Sequence, residues 1–272
     1  MSTLPTLYIA HGGGPCFFME WPAGRDPWQK MGAWLRALAG TLPERPRALV
    51  IASGHWEERE FSVTSGARPA LIYDYYGFPE HTYRLRYDAP GAPELAREIC
   101  ALLERAGIRC REDPERGFDH GVFIPFKLIF PDADVPIVEL SLKRGLAPAD
   151  HLAVGAALAA LRSRGVLIVG SGMSFHNLNA FGGAYQEVSD RFDEWLTAAV
   201  LADPPERNRA LADWQHAPHA RQAHPREEHL VPLFVAAGAA GEDPGRRIFS
   251  DSVLGTTVSA YEFGAVDSAA PS

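Results

Sequence analysis

Thr6-Leu7-Tyr8-Ile9-Ala10-His11-Gly12-Gly13-Gly14 decides the fold class, because a short apolar run stops abruptly at a histidine and three glycines. The same design recurs twice. Ala48-Leu49-Val50-Ile51-Ala52 runs into Ser53-Gly54-His55-Trp56, and Val166-Leu167-Ile168-Val169 runs into Gly170-Ser171-Gly172-Met173-Ser174-Phe175-His176. Short apolar runs bounded by glycine read as buried strands. In open α/β sheets ligands bind outside the carboxyl ends of parallel strands, so side chains just past those ends converge although they are distant in sequence. The glycines let backbone approach closely there.

Working outward, further strands are expected at Phe61–Thr64, over 136–142 and at Thr256–Phe263. Helices are expected over 28–42, 93–106, 150–164 (with Asp150 near its N-cap), 177–202 and 229–240, and another begins near 123–129. Residues 73–91, rich in Tyr, Gly and Pro, read as an ordered loop of functional length. A polar stretch covers 203–228, and a small-residue tail over 265–272 is expected to be mobile. Strands alternating with helices give an α/β fold, and one domain is the expectation for this length.

The 272 residues carry a formal net charge of −8 and no run of Lys and Arg, so the electrostatic footprint of a nucleic-acid binder is missing. No apolar stretch of about 18 residues spans a bilayer. The first charged residue is Glu20, so a basic signal-peptide region is absent and a cytoplasmic location is expected. Cys16, Cys100 and Cys110 show neither C-x-x-C nor a disulfide-like spacing, which suits free thiols in a reducing compartment. Cys16 alone lies beside the suspected site.

Several histidines at one point suggest a metal, since neutral imidazole is the commonest ligand at neutral pH. A further dense segment, His224-Pro225-Arg226-Glu227-Glu228-His229, leads into an apolar helix. If that helix starts near Glu227, His229 faces inward from its first turn and the two glutamates favour the positive end of its dipole. Asp119-His120-Gly121 opens another apolar element, where Asp119 either holds His120 in one tautomer or only caps a helix. No H-E-x-x-H, G-x-S-x-G, P-loop or dinucleotide spacing occurs. His11-Gly12-Gly13-Gly14 looks like a hydrolase oxyanion loop, which leaves a serine hydrolase as a rival.

Together the blocks HGGGP (11–15), SGHWE (53–57), YDYYGFPEHTYRLRYDAPG (73–91), GFDHGVFIPFKLIFPDADVPIVELSL (117–142), GSGMSFHNL (170–178) and HPREEHLVPLFVAAGA (224–239) resemble the class III extradiol ring-cleavage dioxygenases, in their DOPA 4,5-dioxygenase-like branch. The resemblance implies a single α/β domain over 1–264 with a central, largely parallel sheet flanked by helices. It implies one divalent metal, Fe(II) for turnover or Zn(II) as isolated, with His11, His55 and His229 as ligands and Glu227 or Glu228 in reserve. His176 matches the acid/base histidine and His120 a further active-site histidine; a catechol-type diol and O2 are the implied substrates, and a homodimer is the base-rate expectation. The loop residues Tyr73, Tyr75, Tyr76, Phe78, Tyr83, Arg84, Arg86 and Tyr87 either wall the substrate ring and pair a substrate carboxylate or pack the loop onto its own domain. Many relatives read HGSP where this chain has HGGGP, which leaves the pocket shape and the substrate open. A zinc hydrolase on the same histidines and a non-catalytic metal-binding homologue are the alternatives.

Overall fold

The three histidine-terminated runs are neighbouring strands of one sheet. In the computed structural model, which describes residues 3–180 and 183–264, β1 (Thr6–Ala10), β2 (Ala48–Glu58) and β6 (Val166–Gly172) lie side by side, with β6 in the middle. β6 pairs in parallel with both neighbours. The remaining strands are β3 (Phe61–Thr64), β4 (Cys110–Asp113), β5 (Ile137–Lys143), β7 (Gly245–Val253) and β8 (Thr256–Phe263), and the sheet order is β4-β3-β5-β2-β6-β1-β8-β7. The central four strands are mutually parallel, while β3 meets β5, and β8 meets both β1 and β7, antiparallel. Parallel strands need covered faces. Helices α1 (Gln29–Leu38), α2 (Pro93–Arg105), α3 (His120–Ile129), α4 (Pro148–Leu158), α5 (Gln186–Leu201), α6 (Pro204–Ala212), α7 (Ala220–Ala223) and α8 (Val231–Ala240) provide the cover. α8 is apolar all round and every one of its residues is buried, as a helix sandwiched between sheet and outer helix must be.

Several boundaries differ from those the sequence suggests. β2 does not stop at Ala52 but runs on to Glu58 through a register shift between Ala52 and Glu57, so His55 sits within the strand. α3 begins at His120 rather than near Phe123. α4 begins at Pro148, whose fixed φ suits a first helical position, so Asp150 lies in the first turn instead of at the cap. His229 precedes α8 and is outside its first turn. The expected helix over 177–202 is α5 alone, beginning at Gln186. β4 and β7 carry charged residues on sheet edges and show no apolar run, which is why the pattern hides them. Contrary to the expectation of free thiols, Cys100 and Cys110 are joined as a disulfide, because α2 turns back directly into β4; Cys16 is free and buried. The tail over 265–272 lies outside the described residues. No described helix is long and apolar enough to cross a membrane.

Candidate active site

Pro125 starts the construction of the site. Inside α3 it has no N–H to give the Gly121 carbonyl four residues back. The Ser171 hydroxyl at the end of β6 donates to that carbonyl instead, at 2.5 Å. Its proton thus committed, Ser171 Oγ is left to accept from His11 Nδ1, 3.1 Å away. The proton of His11 is thereby placed on Nδ1 and its lone pair on Nε2, facing the other histidines.

A glutamate does the same for two rings at once. Glu228 Oε1 lies 2.9 Å from His229 Nδ1 and 3.1 Å from His176 Nδ1, and those two rings stack with centroids 3.5 Å apart. Tyr8 Oη and the Met173 amide both donate to the His229 carbonyl, at 2.7 and 3.1 Å, which holds the segment before α8 against the sheet. That approach requires glycine at 172, where any Cβ would overlap the His229 carbonyl oxygen. The His176 amide is tied to the Ala223 carbonyl at 3.0 Å.

Asp74, from the long loop, serves the opposite side. Its Oδ1 accepts from the His120 amide at 2.9 Å and from His120 Nδ1 at 2.8 Å, and its Oδ2 lies 3.5 Å from His55 Nδ1. The irregular part of β2 that swings His55 into place is pinned by Ser53, whose hydroxyl accepts the His55 amide at 3.2 Å and donates to Asp119 at 2.7 Å. Asp119 therefore neither orients His120 nor makes a side-chain cap. Its other oxygen takes Arg116, and it anchors the bulge.

With every Nδ1 engaged, the Nε2 atoms turn inward. His55 Nε2 stands 3.2 Å from His11 Nε2 and 3.2 Å from His229 Nε2. One nitrogen cannot be both donor and acceptor in the same tautomer, so this trio is not an ordinary hydrogen-bond chain. Two donors each about 2.0–2.1 Å from a tetrahedral ion lie about 3.3 Å apart, so the donor set fits a single cation. Electrostatics agree: burial, then the crowd of neighbouring imidazoles, pushes His11 and His229 well below the ordinary histidine range, and burial with His120 holds His55 at about 4. All three are neutral at pH 7, as ligands must be. Burial pushes the carboxyls of Asp74 and Glu228 upward, but hydrogen bonds from His120 and His176 outweigh it, so both stay ionised. The ligand atoms of His11, His55 and His120 also fall within 4.8 Å of one another, as do those of His176, Glu228 and His229.

All five histidines singled out in the sequence line one cavity of about 430 Å³. Glu227 points elsewhere, to Arg221 at 2.6 Å. Asp74 escaped sequence reasoning; its only signal was a lone acid among aromatics in the YDYYG segment. The aromatic loop divides between its two expected roles. Tyr75, Tyr76 and Phe78 line the cavity, whereas Tyr87 is buried in the core and Arg84 pairs with Glu80 at the surface. Of the two serines in the GSGMS block, Ser171 gives its hydroxyl proton to the Gly121 carbonyl and Ser174 is buried with its Oγ accepting the Ser259 amide.

The chain has relatives among known proteins. Residues 5–266 match the family described as the catalytic LigB subunit of aromatic ring-opening dioxygenase. The chain is 38% identical to the 4,5-DOPA dioxygenase extradiol of Beta vulgaris, over 95% of this chain and 96% of that one. It is 37% identical to the dioxygenase tasH of Hapsidospora irregularis, over 98% and 87% respectively. A crystal structure of an uncharacterized protein from Escherichia coli superposes with a TM-score of 0.76 at 29% identity, over 96% of this chain and all of that one. With the family model matching nearly the whole chain and relatives named as dioxygenases at 37–38% identity, the chain belongs to the LigB family of class III extradiol dioxygenases.

Proposed function

We propose that this chain opens the ring of a catechol-type diol with dioxygen at one divalent metal held by His11, His55 and His229, with His176 and His120 as catalytic groups and residues 1–264 as the catalytic domain. Iron(II) is the metal for turnover and zinc(II) an inert occupant. The observation that carries this reading is the convergence of three neutral Nε2 atoms, with His55 3.2 Å from each of the other two. When bound, the metal acidifies a diol hydroxyl and couples the electron-rich ring to dioxygen.

The chain's own residues handle protons and position. His176 gives Nδ1 to Glu228, so Nε2 is the atom that takes the second diol proton and later returns one to the oxygen being reduced. His120, fixed through Nδ1 by Asp74 and with its ring centroid 3.9 Å from that of His55, accepts a hydrogen bond from the diol through Nε2. Both oxygen atoms end in the product, as the carboxylate and carbonyl left by breaking the ring bond beside the diol.

Protein reconstituted with Fe(II) without air and then given a catechol and O2 should consume oxygen in step with a yellow ring-opened product. His176→Ala should keep its metal and lose about 10²–10⁴ in kcat. Absence of oxygen uptake with every catechol, despite bound iron, would overturn the reading.

A further inference from the structure

Beyond its histidines the cavity is lined by no Lys, Arg, Asp or Glu among the described residues. Asp74 and Glu228, the nearest acids identified, stand behind the rings they hold. The other polar side chains of the wall are largely committed to protein carbonyls. Tyr75 Oη donates to Thr82 at 2.7 Å, Asn177 Nδ2 to Gln222 at 2.7 Å, Thr256 Oγ1 to Val253 at 3.0 Å and Trp21 Nε1 to Cys16 at 3.1 Å. What faces the interior is apolar: Trp28, Phe78, Met173, Phe175, Val253 and Val258 among others.

The mouth is apolar too. Five large hydrophobic residues are exposed among those described, and four of them, Trp21 (36%), Tyr76 (91%), Leu178 (67%) and Leu254 (39%), line this cavity. Exposed apolar surface gathered around one opening marks a binding site, unlike the same residues scattered. Leu254 is informative for another reason. It and Gly255 form the two-residue turn between β7 and β8, with φ of 52° and 82°. Such turns favour Asn, Asp or Gly, and a leucine there is strained. Strain kept where a polar residue would be easier points to a use for the side chain.

We infer that the substrate is an uncharged catechol bearing a bulky apolar substituent, which the collar of Trp21, Leu178 and Leu254 receives while the diol faces the histidines. This rests on the ring-cleaving activity proposed above and departs from the amino-acid catechol in the names of several relatives. A carboxylate or ammonium on the substituent would either lie unpaired inside the cavity or stay in water and bury nothing. An apolar group instead gains with each carbon it buries.

The test compares 4-tert-butylcatechol with DOPA on the Fe(II)-loaded full chain, by kcat/KM from oxygen uptake and by Kd from calorimetry without air. Burial of four carbons predicts a preference of roughly 100-fold for 4-tert-butylcatechol in both measurements. Equal values, or a preference for DOPA, overturn the inference. Should neither be cleaved, the ring-cleaving reading fails, and the ratio of the two Kd values still decides selectivity. Leu254→Asn should raise Tm by about 2 °C as the turn relaxes, and lower the ratio of kcat/KM for 4-tert-butylcatechol over that for DOPA about fivefold. Unchanged kinetics with both catechols would remove Leu254 from the collar.

Discussion

A neutral imidazole carries one lone pair, and the partner of its other nitrogen decides where that pair points. Here Ser171, Asp74 and Glu228 make that choice for five rings, so these three residues matter as much as the histidines they touch. Asp74→Asn keeps the shape but loses the charge and one acceptor oxygen, and steady-state kinetics should show kcat/KM lower by about 10–100-fold. Ser171→Ala leaves the Gly121 carbonyl and His11 Nδ1 without partners; urea unfolding should show a loss of about 1–3 kcal/mol, and dialysis a weaker hold on metal. The histidines were legible in the sequence because three of them follow apolar runs in the same way. Asp74 was not, since nothing local says that residue 74 meets a helix N-terminus 46 residues later.

At the scale of elements, the site depends on how closely the segment before α8 can approach the end of β6. Gly172→Ala puts a methyl group into the His229 carbonyl and should abolish metal binding while circular dichroism stays that of the folded protein. Gly40→Ala, where nothing lies within 4 Å of the added carbon, serves as the control and should change neither property. The apolar strands and the long helices were readable from pattern alone. β4, with the sequence CRED, and β7, beginning Gly-Arg-Arg, were not, because an edge strand needs no apolar face to exist. The extension of β2 past Ala52 was hidden for a different reason: its irregular register is set by Ser53 and Asp119, a contact between residues 66 apart.

For the whole molecule, pH tests the account away from the metal. His151 donates Nδ1–H to the Ala147 carbonyl and accepts the Lys143 amide at Nε2, so it is built to be neutral; burial holds it at about 4, and holds His224 at about 3. The unfolded chain protonates these rings near 6.5 and the folded chain does not. Their stabilisation is therefore full above pH 6.5 and is lost as pH falls towards 3–4, by on the order of 3 kcal/mol for each ring. Urea midpoints of chelator-treated protein should hold from pH 7.5 to about 6.5 and fall steadily from there to pH 5, and a profile flat across the whole range would contradict neutral burial. An α/β architecture and its ligand edge were legible in one sequence, whereas the strand order and the Cys100–Cys110 bond arise only when distant elements meet. The most direct test of the centre is metal content after anaerobic Fe(II) loading of His11→Ala, His55→Ala, His229→Ala, His120→Ala and His176→Ala. The wild type and the last two variants should hold one equivalent per chain and the first three almost none; metal retained by His229→Ala but lost from His120→Ala would show that His11, His55 and His229 are not the ligand set.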